Sequence, residues 1–114
     1  MATIALVATL GVAVLHLLFL AMETVGWSKM ARGFGYKKDE VELTRTLAAN
    51  QGFYNGGVAC LILWAALTGQ AATVTALMLF VIAMAVVGAV TAKWTILIIQ
   101  GAPAAVALAL NLLA

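Results

Sequence analysis

Residues 48–57 read AANQGFYNGG and open an apolar run that continues to Leu67. Within these ten residues stand two Asn, a Gln and a Tyr. Whether such a stretch meets water, a packed core or lipid depends on the kind of chain that carries it. The chain has 114 residues, 66% hydrophobic and 9% charged, with mean hydropathy +1.15. A soluble domain carries about 25% charged residues, so this chain lacks the polar surface to meet water. It reads as an all-α integral membrane protein of one domain, residues 1–114. The lone Cys60 excludes an internal disulfide. With no basic face outside one loop, nucleic-acid binding has no support.

A transmembrane helix needs about 20 mostly apolar residues. Four segments meet this: Thr3–Gly26, Leu47–Leu67, Ala71–Ala92 and Thr95–Leu113. The first lacks the basic start of a signal peptide and exceeds an h-region of about 7–15 residues, so it reads as a retained helix. TGQ after Leu67 and KW at Lys93–Trp94 are tight turns, which set neighbouring helices antiparallel. The expected fold is therefore a four-transmembrane-helix antiparallel bundle.

The first connection, WSKMARGFGYKKDEVELTRT, holds Lys29, Arg32, Lys37, Lys38 and Arg45. The sixth basic residue, Lys93, lies in the third connection, on the same side of a four-span chain. Lys and Arg mark the cytoplasmic side, so both termini and the Thr68–Gln70 turn are expected outside. The location is the cell membrane, multi-pass, or the inner membrane of a Gram-negative cell. Asp39 followed by Glu42 gives a capping-box pattern, with Glu42 and Arg45 as helical neighbours. Helix 2 is thus expected to begin near Glu40 and to extend into the cytosol.

The residues with chemistry collect on the cytoplasmic side. His16, Leu20, Glu23 and Trp27 recur along one stripe within about 60° of each other. Gln51, Tyr54 and Asn55 occupy about a 100° arc of helix 2, with Asn50 beside Tyr54. Gly52 and Gly56 form a GxxxG on the adjoining face, which admits a close backbone. Gln100 precedes Pro103, whose ring frees the Ile99 carbonyl from its helical bond. An ionisable side chain within a span is costly and is a site hypothesis by default. The expected site has Glu23 and His16 as catalytic groups and Asn50, Gln51, Tyr54, Asn55 and Gln100 as ligand-orienting groups.

The same residues have plainer uses. Asn, Gln, His and Tyr join helices at about 0.6 kcal/mol per bond. Glu23 can reach water or pair with Lys29 or Arg32, and Trp27 and Trp94 fit an interfacial belt. Metal binding is not expected: His16 and Glu23 are two ligands seven residues apart, without a second histidine.

The runs HLLFLAMETVGW, NQGFYNGG, GAVTAKW and QGAPA together resemble a bacterial family of small four-helix integral membrane proteins, domain of unknown function 1304. The resemblance covers nearly the whole chain and implies that fold, with no activity attached. RTLAANQGFY is more weakly similar to helix 2 of the membrane-associated eicosanoid and glutathione metabolism superfamily, whose trimeric four-helix enzymes use glutathione. Arg45 resembles its basic position, Asn50 its Asn and Tyr54 its Tyr. Phe53 stands where that pattern has Glu, and Lys93 alone stands where it has an Arg and Tyr set. The resemblance implies a ligand-binding role for Arg45, with glutathione meeting it at the cytosolic mouth.

Three functions follow as expectations: a protein that binds or transforms a small amphipathic molecule from the cytoplasmic leaflet, a proton-coupled transporter, and a structural subunit without its own ligand. No cofactor is named by the residues. The expected partners are membrane lipids, a small-molecule ligand and further copies of the chain, as a trimer or dimer.

Overall fold

Ala5, Thr9, Val12, Ala13 and His16 are the buried residues of the first helix, α1 (Thr3–Glu23). Their spacing traces one helical stripe. In the computed structural model, which describes residues 2–113, four further helices follow: α2 (Trp27–Gly33), α3 (Lys38–Leu67), α4 (Ala71–Thr91) and α5 (Ala102–Leu113). A π-helical segment, Leu97–Gly101, leads into α5. No strand is present among the described residues.

α3 sets the length of the molecule. Its 30 residues span about 45 Å at 1.5 Å per residue, against a longest dimension of 49 Å. α1 packs most extensively on α3 and also on α5, while α4 packs on α5, the π segment and α3. The main core joins Val12 and Ala13 of α1, Ile62 and Ala65 of α3, Met78 and Val81 of α4, and Ala104 of α5. Many of these residues are alanines, so the helices meet closely. Thr9 Oγ1 donates to the Ala5 carbonyl at 2.8 Å and accepts from Asn111 Nδ2 at 2.9 Å, which ties α1 to α5.

Two helices, α1 and α4, are long and apolar enough to cross a membrane, each with mean hydropathy 2.5. Only 28% and 22% of their apolar windows are buried. A core helix of a soluble protein would hide most of that surface; these two leave most of it outward. In α3 the polar Asn50–Asn55 stretch interrupts the apolar half, and Leu97–Leu113 is apolar but shorter.

The turns explain where the elements stop. Gly69, at φ +69°, reverses the chain between α3 and α4, a conformation costly for a side chain with Cβ. In an α-helix the Pro103 ring would clash with the carbonyl four residues back. The wider π turn avoids this, with the Ala102 amide reaching back to the Leu97 carbonyl.

Three local expectations are corrected. α1 ends at Glu23, not Gly26: Thr24 Oγ1 donates to the Leu20 carbonyl at 2.6 Å as the chain turns away. Trp27 therefore begins α2, a helix the sequence reading placed in a loop. α3 starts at Lys38, and Glu40, not Glu42, makes the capping contact by accepting from the Lys37 amide at 2.8 Å.

Candidate functional site

The C-terminal turn of α1 lies directly on α3 because Gly52 and Gly56 present no side chain there. A Cβ on Gly52 would stand 3.1 Å from Glu23 Cβ and 3.3 Å from the Leu20 carbonyl oxygen; one on Gly56 would stand 2.9 Å from Leu20 Cδ2. The GxxxG thus serves a contact within the chain. This approach sets Glu23 opposite Asn55, one turn along α3. Asn55 Nδ2 donates to Glu23 Oε1 at 2.5 Å, and both residues are half-buried. Glu23 forms no ion pair with Lys29 or Arg32 among the described residues; the one pair there is Arg45–Glu42. No buried side-chain nitrogen or oxygen among the described residues lacks a hydrogen bond. The second oxygen of Glu23, which makes no bond, is therefore reachable from outside the chain. Gln51, one turn before Asn55 on α3, is exposed.

The other candidate residues are placed apart. His16 lies two turns before Glu23, 2% exposed, with Nδ1 2.8 Å from the Val12 carbonyl. A carbonyl only accepts, so Nδ1 carries the proton and Nε2 is the free ring nitrogen. The Phe19 ring stands edge-on to it at 5.3 Å. Asn50 and Tyr54 turn outward on α3, where they line an open groove of about 670 Å³ with Phe53, Gly57, Cys60 and Leu61. Gln100 Nε2 donates to the Val81 carbonyl at 3.2 Å, in the middle of α4.

Arg45 lies well before this level of α3. Its Nη2 donates to Glu42 Oε1 at 2.7 Å and to Ser28 Oγ at 2.8 Å, fastening α2 to α3. Arg45 hydrogen-bonds to the Glu42 carboxylate and so holds it below the usual carboxylate range. Trp27, 9% exposed, packs with Ala31 against Val41 and Ala48 and donates from Nε1 to Thr44 Oγ1 at 3.1 Å. It belongs to the α2–α3 contact, whereas Trp94 is 66% exposed.

The Thr9–Asn111 link escaped the sequence reading because Asn111 lies far from the other polar residues along the chain. The signal was present: two lone polar residues at matching depth in facing apolar helices. No group of three metal-ligating side chains occurs among the described residues.

The model of a family described as "Protein of unknown function (DUF1304)" matches residues 10–112. No curated protein and no solved structure matches significantly.

Proposed function

We propose that the chain, which belongs to the DUF1304 family of proteins of unknown function, is a four-span membrane bundle that binds a small amphipathic molecule on its cytoplasmic side. In this reading α1, the apolar half of α3, α4 and the Leu97–Leu113 segment all cross the bilayer. The six basic residues, in α2, its flanks, the start of α3 and the turn after α4, face the cytoplasm. Both termini and the Thr68–Gln70 turn lie outside.

One observation carries the binding role. Asn55 fixes one oxygen of Glu23 across the α1–α3 seam and leaves the other reachable. A carboxylate held by a second helix has a set direction, which a snorkelling side chain lacks. Its open oxygen accepts from the amine or hydroxyl head of a ligand, and Gln51 offers a further donor and acceptor one turn before Asn55. The apolar part of the ligand lies along the outward surface of α1. Arg45 is structural here, since its guanidinium is engaged by Glu42 and Ser28. The outward groove at Asn50, Tyr54 and Gly57 suits a second copy of the chain.

Native mass spectrometry from a mild detergent tests the site. The wild type is expected to retain a non-lipid small molecule that Glu23→Gln loses. A glutamine oxygen still accepts from Asn55, so the variant should unfold at nearly the same temperature. A wild type carrying only random lipid would defeat the proposal. That result would favour a pure packing role for Glu23 and Asn55, which the absence of buried unpaired polar atoms among the described residues also supports.

A further inference from the structure

A second cavity, of about 540 Å³, opens where α1 turns into α2. Met22, Met30 and Phe34 give it apolar walls, and Lys29 and Lys93 also line it. Lys93 comes from the turn after α4, and its Nζ lies 5.8 Å from the centroid of the Phe34 ring, a cation–π contact with a residue of the same wall. Neither lysine forms an ion pair among the described residues. Gly33, on the wall, has nothing within 4 Å of where a Cβ would stand, so the space is open. Two unpaired cations above apolar walls call for an anion carried on an apolar body.

We propose that this cavity holds the phosphate headgroup of an anionic glycerophospholipid, with Lys29 and Lys93 on the phosphate and its chains running along α1 and α4. The charge of the cavity selects among lipids. A choline or ethanolamine headgroup would bring its own cation to a site with two lysines and no carboxylate on its wall. The apolar walls and the outward apolar surfaces of α1 and α4 favour a lipid over a free anion. The inference rests on the membrane-spanning reading and is independent of the Glu23–Asn55 site, since no residue is shared.

The test is lipid retention by the full chain, measured by native mass spectrometry from detergent with equal phosphatidylglycerol and phosphatidylcholine. Wild type is expected to retain one phosphatidylglycerol per protomer with a preference of roughly 30-fold, the scale expected of two lysines at a membrane surface. Lys29→Gln/Lys93→Gln should abolish the preference, while Lys37→Gln/Lys38→Gln, an equal charge change elsewhere, should keep it. Gly33→Leu, which fills the cavity without touching charge, should also lose the lipid, and its thermal midpoint shows whether it is folded. The proposal fails if wild type shows no preference, if the Lys37/Lys38 control loses it equally, or if millimolar inorganic phosphate displaces the lipid. Loss of lipid with Glu23→Gln unaffected, or the reverse, separates this site from the other.

Discussion

At Gly52 a methyl group meets backbone, and that decides the sign of its substitution. The Cβ of Gly52→Ala would stand 3.1 Å from Glu23 Cβ and 3.3 Å from the Leu20 carbonyl oxygen, a wall that cannot rotate away. We expect a loss of about 1–3 kcal/mol from overpacking, together with loss of the Asn55–Glu23 bond. Gly56→Ala meets the tip of Leu20 at 2.9 Å, a side chain able to shift, so its cost should be smaller. Gly57→Ala meets nothing within 4 Å and should gain about 0.5–1 kcal/mol from helix propensity. Thermal unfolding of the three variants in one detergent checks the order; equal effects would show that α1 does not press on α3. Acid supplies a second residue-scale prediction. Glu42 is held below the usual carboxylate range by Arg45, so their pair is complete above the ordinary carboxylate pKa. It is lost as pH falls through the depressed value. The Arg45 side-chain N–H resonances should show one step below that range, and Glu42→Gln should remove it.

Between elements, α2 is the part whose hold on the molecule is most exposed to a single change. Seven residues cannot sustain a helix alone, and what keeps α2 folded is Trp27 against Val41 and Ala48, its bond to Thr44, and the Ser28–Arg45 bond. Removing a buried tryptophan costs about 3–5 kcal/mol, more than so short an element has. Trp27→Ala should therefore raise amide exchange across Trp27–Gly33 by at least about 100-fold and open Lys29 and Arg32 to trypsin, while exchange in the main core stays unchanged. Uniform exchange throughout would mean that α2 unfolds only with the whole molecule. This element also shows where sequence reading stops. The apolar runs of α1 and α4 were legible because nearly every residue in them is apolar. WSKMARG carries no run and no cap, and its helix exists through contacts with α3 that the linear chain does not display. The Gly52–Gly56 face was legible because spacing alone puts both on one side. The partner of Asn55 was not, since Gln51 and Tyr54 lie in the same arc, and only the close approach of α1 selects Asn55. The π turn lay between these cases, because Pro103 announces a broken α-helical bond but not how the backbone absorbs it.

For the molecule as a whole, the proposed four-span topology turns on its two least apolar candidate spans. The Leu97–Leu113 segment is 17 residues, about 26 Å at 1.5 Å per residue, slightly short of a hydrocarbon core of about 30 Å. Thr95 and Ile96 are helical as well, which brings the rise to about 28 Å, within reach of a slightly thinned bilayer. In α3, the Asn50–Asn55 stretch would be costly facing lipid alone, but Asn55 is bonded to Glu23 and Gly52 and Gly56 are covered by α1. Both segments are therefore expected to cross, the exposed Asn50, Gln51 and Tyr54 of α3 lying toward its cytoplasmic end or against a second copy of the chain. Cys60 is the one cysteine and is exposed on α3, so Cys60→Ser gives a background for single-cysteine labelling in intact cells. Thr68→Cys and Leu112→Cys should react with a membrane-impermeant maleimide from outside. Lys37→Cys and Ala92→Cys should react only after the membrane is made permeable. Labelling of Thr68→Cys and Lys37→Cys from the same side would show that α3 lies along the surface. Labelling of Leu112→Cys only after permeabilisation would leave α5 on the cytoplasmic side and reduce the molecule to three crossings.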